Sequence, residues 1–220
     1  MKYISTRGGA EALGVEDVLL AGLARDGGLY VPEVWPTLTP ETIASFRDKP
    51  FVEIAVEVIH PFTGDEISRD ELRRMASEAY ATFDTSEVTP LVEIKPGLTI
   101  LELFHGPTLA FKDVAMQLLA RLMDHVLEKR GARATIVGAT SGDTGGAAIE
   151  AFRSSKRVDV VILFPKGRVS DVQRRMMTTP TEPNVHAVAI EGTFDDCQAL
   201  VKAMFNDHAF RDRVELSGVN

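Results

Sequence analysis

Along residues 1–88 the apolar positions recur at helical spacing. Val15, Val18, Leu19 and Leu23 predict a short helix over 15–24, closed by Arg25-Asp26-Gly27-Gly28, where glycine offers a left-handed cap. Thr39 before Pro40 reads as an N-cap with proline at the first helical position, so a helix is expected to about residue 46. A further helix is expected over 51–58, stopping ahead of His60-Pro61. Ser68 and Glu71 form a capping box that opens a helix over 69–83, with Leu72, Met75, Ala76 and Ala79 on one face. Residues 1–4 and 29–32 read as short extended pieces, and 32–39 as a proline-rich loop.

Beyond Pro90 the pattern switches. Residues 91–94 and 98–104 flank Lys95-Pro96-Gly97 as a hairpin. A long helix follows over 108–129, closed by Gly131. Strands are then expected at 133–137, 158–164 and 185–190, alternating with helices at 145–152, 170–177 and 193–205, and a last strand begins at 214–216. Strand-helix alternation of this kind builds βαβ units and a parallel sheet. The expected fold class is therefore α/β: three-layer, with a mostly parallel sheet flanked by helices, preceded by a mostly helical N-terminal subdomain. The boundary is expected between residues 84 and 89, giving parts 1–88 and 89–220. Ligands bind beyond the carboxyl ends of strands in such sheets, which points to the loops after Phe104 and Val137.

Composition narrows the function. The chain has 220 residues and 45% hydrophobic content, enough for a substantial core. A formal charge of −8 argues against a generic nucleic-acid or anionic-membrane surface, so neither is expected as a partner. The longest apolar runs are only a few residues long, too short to span a bilayer, and MKYISTRGGA has no signal-peptide pattern. A single cysteine, Cys197, excludes an intrachain disulfide and fits a reducing cytoplasm, the expected location.

Two loops carry candidate chemistry. In LELFHGPTLAFKDVAMQ, the His105-Gly106-Pro107 turn leads to Lys112, between Phe111 and Asp113 at the head of the expected helix. Helix N-termini favour acids over lysines. An apolar flank and a helix N-terminus both favour the neutral, nucleophilic amine. A surface lysine is the plain alternative. The second loop, residues 138–146, reads GATSGDTGG between a strand and a helix. Its glycines permit close backbone approach, its Thr and Ser residues offer hydroxyls, and the helix N-terminus offers amides to an anion. It lacks the lysine of a Walker loop and the spacing of a dinucleotide fingerprint. A tight turn would explain two glycines, but not the Thr140-Ser141-Asp143-Thr144 cluster.

Together, LFHGPTLAFKD and TSGDTGG resemble the fold type II pyridoxal-phosphate enzymes, the tryptophan synthase β family, and within it the threonine synthases. The STRG and DGGLYVP segments and the helical N-terminal part extend the resemblance over essentially all of the chain. It implies that Lys112 is the lysine that forms the internal aldimine with pyridoxal 5'-phosphate, with Phe111 packing beside the cofactor. Asp143 falls beside the cofactor's 3'-oxygen, where many relatives carry asparagine; an aspartate there has to be protonated, reoriented or paired. Thr140, Ser141, Gly142 and Thr144 match the loop that holds the substrate's carboxylate. The implied reaction is that of a lyase of threonine biosynthesis, converting O-phosphohomoserine and water to threonine and phosphate. A monomer or homodimer is expected, without a metal. Because the family's phosphate cradle and pyridine-nitrogen partner lie further along than Gly146, the chain is expected to be an N-terminal portion with little synthase activity alone. LSGVN, at 216–220, resembles the start of a later family segment. The alternatives are a threonine or serine dehydratase of the same fold and a non-catalytic, synthase-like binding protein.

The remaining reactive residues point elsewhere. His105 is open to a turn role or a ligand role. Glu102 and His105 alone do not make a metal site. His60, His125, His186 and His208 lack ligand spacing, and Cys197 sits among apolar neighbours as a structural residue. Lys166, Arg168, Arg174 and Arg175 read as a solvated face, and Met176-Met177 as core.

Overall fold

The structure, a computed structural model, describes residues 1–218. In chain order its elements are β1 (Tyr3–Ser5), α1 (Val15–Ala21), β2 (Tyr30–Pro32), α2 (Pro40–Ala44), α3 (Phe51–Thr63) and α4 (Arg69–Tyr80). There follow β3 (Leu91–Lys95), β4 (Leu98–Leu101), α5 (Asp113–Arg130), β5 (Ala134–Ala139), α6 (Asp143–Phe152) and β6 (Val158–Pro165). The last are α7 (Asp171–Thr178), β7 (Val185–Ile190), α8 (Phe194–Asn206), α9 (His208–Arg213) and β8 (Leu216–Ser217).

The α/β architecture is present. Four parallel strands lie in the order β7-β6-β5-β8. Strand alternation sends Ile136, Val160, Ile162 and Phe164 into one core, which α5, α6 and α7 cover through Met123, Leu127, Phe152 and Met177. Val137 and Leu216 face the other way, against Phe205 of α8. These are three layers. A further core joins α3 and α4 through Val56, Leu72, Met75 and Ala76, and it includes Leu118 and Leu122 of α5. Helix α5 thus gives one stripe to the sheet and another to the helical part. The capping box predicted at Ser68 and Glu71 is present with both of its hydrogen bonds.

Several expectations need correction. The strand expected to Phe104 ends at Leu101, and β4 pairs only with β3, antiparallel. The loop after Phe104 therefore does not leave the parallel sheet. All nine strand residues of this hairpin are exposed, Leu91, Ile94, Ile100 and Leu101 among them. The helix expected from 108 starts at Asp113, because Leu109 has φ of +62°, outside the right-handed helical region. The helix expected to stop before His60 continues to Thr63 with Pro61 in its last turn, and Gly64 follows at φ +59°. The helix expected over 15–24 ends at Ala21, where Gly22 turns at φ +65°. The reading of 216–220 extends to Val219 and Asn220, outside the described residues; Leu216 and Ser217 form β8 beside β5.

Candidate active site

Strand β5 has β6 on one side and β8 on the other, and the crossovers on its two sides run over opposite faces. Its carboxyl end is thus the reversal point of the sheet, where open α/β folds take their ligands. Thr140–Gly142 leaves there and enters α6. Buried Thr140 shapes the loop: its Oγ1 accepts from the Gly142 amide and the Gly145 amide, both at 2.9 Å. Its hydroxyl oxygen is thereby engaged inside the protein. Gly142 adopts φ +156°, ψ −83°, a conformation that favours glycine. Among the described residues, the amides of Ser141, Asp143 and Thr144 find no acceptor. Ser141 and Asp143 are exposed and Thr144 is half-buried.

The other loop is held by Asp113, which is fully buried. It accepts from the Thr108 amide and the Thr108 hydroxyl, both at 2.7 Å. Burial raises its pKa above the usual carboxylate range, against the pull of those donors. Gly106 must be glycine here, since a Cβ would stand 2.4 Å from that of Asp113. This clamp fixes the turn that delivers Lys112, whose carbonyl accepts from the Ala115 and Met116 amides. Half-buried Lys112 rests its Nζ over the Phe111 ring, 4.5 Å from the centroid.

His105 lies between two carboxylates, with Nδ1 at 2.6 Å from Asp84 and Nε2 at 2.8 Å from Glu102. These hydrogen bonds, Glu102's foremost, raise its pKa. A histidine raised in the fold stabilises it when protonated. That contribution is complete below the ordinary value of 6.5 and is lost as pH rises through the higher folded value. The melting-temperature gap between this protein and His105→Ala is therefore expected to be larger at about pH 6 than at about pH 9. An equal gap at both would refute the ion-pair reading.

The two loops meet. A cavity of about 240 Å³ has Thr108, Leu109 and Ala110 on one wall and Gly142, Asp143 and Gly146 on another. Its third wall comes from Ser170, the N-cap of α7, and from Val172, Gln173 and Met176 of that helix. Lys112 and Phe111 stand just beyond this lining, next along the chain from Ala110. A larger cavity, about 570 Å³, opens near the amino end of β5 against α1 and α9; its Arg25 pairs with Asp212 and its Arg130 with Asp17.

Sequence reasoning missed the α7 wall. Ser170 and Gln173 have the spacing of a capping box, and Ser170 does accept from the Gln173 amide. The Gln173 side chain does not return to Ser170's backbone; its Nε2 donates to Asp143 instead. The signal was the pair of small positions on α6, which admit α7: a Cβ on Gly145 would stand 2.8 Å from Met177 Sδ, and one on Gly146 3.9 Å from Met176 Cβ.

Comparison with known proteins finds relatives of this chain. Residues 2–80 match the family model described as threonine synthase N terminus. The chain is 55% identical over its whole length to a threonine synthase of Pseudomonas aeruginosa, covering 47% of that protein. Superposition on the crystal structure of pyridoxal-phosphate-bound threonine synthase from Brucella melitensis gives a TM-score of 0.91 at 63% identity, over all of this chain and 47% of that one. The yeast threonine synthase structure gives 0.89 at 39% identity, with 100% and 46% covered. The chain spans about half the length of these relatives, and it is a homologue of the N-terminal portion of threonine synthases.

Proposed function

We propose that this chain carries the lysine and the carboxylate loop of a pyridoxal-phosphate-dependent threonine synthase, with O-phosphohomoserine as substrate. One observation carries the reading: unpartnered amides of Ser141, Asp143 and Thr144 at the head of α6, beside a cavity whose far wall leads directly into Lys112. Free amides at a helix N-terminus beyond a parallel strand suit a carboxylate. Homology supports the choice of cofactor, since a solved relative carries it.

The chemistry divides as follows. Pyridoxal phosphate, when bound, supplies the electron sink for carbanion chemistry on an amino acid. Lys112 holds it covalently and, when freed, moves protons at the substrate's Cα and Cβ. Phe111 flanks that amine. The amides of Ser141, Asp143 and Thr144 and the hydroxyls of Ser141 and Thr144 bind the substrate's carboxylate, while Thr140, bonded to the Gly142 amide, keeps the loop in shape. Asp143 stands at the cofactor side of the loop. Residues 1–88 buttress this arrangement, and 89–220 carry it. Turnover is expected from a chain of the relatives' length, of which this one spans about half.

The test uses pyridoxal 5'-phosphate and borohydride on the 220-residue chain, followed by peptide mapping. Preferential labelling of Lys112 is the expected result. Label spread evenly over the surface lysines would sink the proposal.

A further inference from the structure

The geometry around α7 points to a residue of this site that neither motif contains. Asp143 is the first residue of α6. An acid there is drawn to the free amides of its own helix. A substrate carboxylate seeking the same amides meets a like charge, and close like charges exclude one another. Aspartate in this loop therefore needs something to hold its carboxylate aside.

Gln173 is placed to do so. Its Nε2 donates to Asp143 Oδ1 at 2.5 Å. Its Oε1 accepts from the Ser170 hydroxyl at 2.9 Å, which fixes which end of the carboxamide faces the aspartate. The side chain lies directly on the loop, since a Cβ on Gly142 would stand 2.3–2.5 Å from its terminal atoms. Buried Met177, packed against Gly145, anchors α7 in this seat. We propose that Gln173 is a positioning residue: oriented by Ser170, it holds the Asp143 carboxylate off the head of α6, leaving the loop amides free for the carboxylate of an amino-acid ligand. This rests on the carboxylate-loop reading given above.

The test is a titration of the isotope-labelled 220-residue chain with L-threonine, followed by NMR at the Ser141, Asp143 and Thr144 amides. Gln173→Ala is expected to weaken binding about tenfold, because Asp143 then competes for the helix head. Gln173→Asn, too short to span the gap, should match it. Adding Asp143→Asn to Gln173→Ala removes the competing charge and should restore binding to the level of Asp143→Asn alone. A merely structural Gln173 would show no such rescue, and that result overturns the proposal. So does wild-type affinity in Gln173→Ala. If the parent chain shows no shift at these amides, the carboxylate-loop reading falls, and this proposal falls with it.

Discussion

Replacing Lys112 by arginine is expected to abolish the pyridoxyl label at that position while leaving the fold intact. Arginine keeps a cation over the Phe111 ring, so the local electrostatics change little. Its guanidinium stays protonated and does not form an imine, so the nucleophilic amine is gone. Lys112→Ala should lose the label equally and lose the ring contact as well. The pair separates charge from amine chemistry. Asp113→Asn acts one step further back: it keeps the shape of the clamp but weakens its hold on Thr108, so labelling at Lys112 should fall without vanishing. Peptide mapping after borohydride reduction reads all three variants. Undiminished total label in Lys112→Arg, moved to other lysines, would show that Lys112 was never singled out.

Gly145→Val carries the largest expected loss of stability. A Cβ at this position would approach Thr140 Cγ2 at 2.6 Å, and Ile162 Cγ2 and Met177 Sδ at 2.8 Å. Ile162 and Met177 are core, and Thr140 is the residue that shapes the loop. None can retreat freely, so overpacking should cost about 3 kcal/mol. For a chain of this size that is a fall of roughly 6–12 °C in melting temperature. Its neighbour supplies the control. Gly146 is buried in the same helix, yet a Cβ there meets nothing nearer than Met176 at 3.9 Å. Gly146→Ala should be neutral or stabilising by about 0.5–1 kcal/mol, since alanine is the better helix former. Thermal melting distinguishes the two, and equal melting temperatures would remove the close-packing account of the loop.

The parallel sheet was legible because β5 and β6 are runs of branched apolar residues separated by a glycine-punctuated helix. The Ser68 box was legible because its two partners are three residues apart. The hairpin was legible from Lys95-Pro96-Gly97, but its separation from the parallel sheet was not, since nothing in its apolar strands tells which sheet they join. The start of α5 was misplaced because nothing in the Thr108-Leu109 dipeptide announces a positive φ at leucine. At the site, Lys112 and the TSGDTGG loop were found as local patterns. Asp113 and Gln173 were passed over because their roles come from contacts made after folding: a clamp on Thr108 and a bond across 30 positions of sequence. The glycines were assigned to an approaching ligand, yet the groups closest to Gly142 and Gly145 are side chains of α7, the sheet and the loop's own Thr140.

Helix α5 gives Met123 and Leu127 to the sheet's core and Leu118 and Leu122 to the helical one. Neither core can open without stripping partners from the same rod. The two therefore melt as one cooperative unit, although their sequences look like separate modules. Lys112 sits at the free end of that rod, one residue before its first turn. A core substitution tens of residues away thus acts on the amine by changing how long its footing persists, and amide exchange in the first turn of α5 becomes a gauge of the whole chain's integrity.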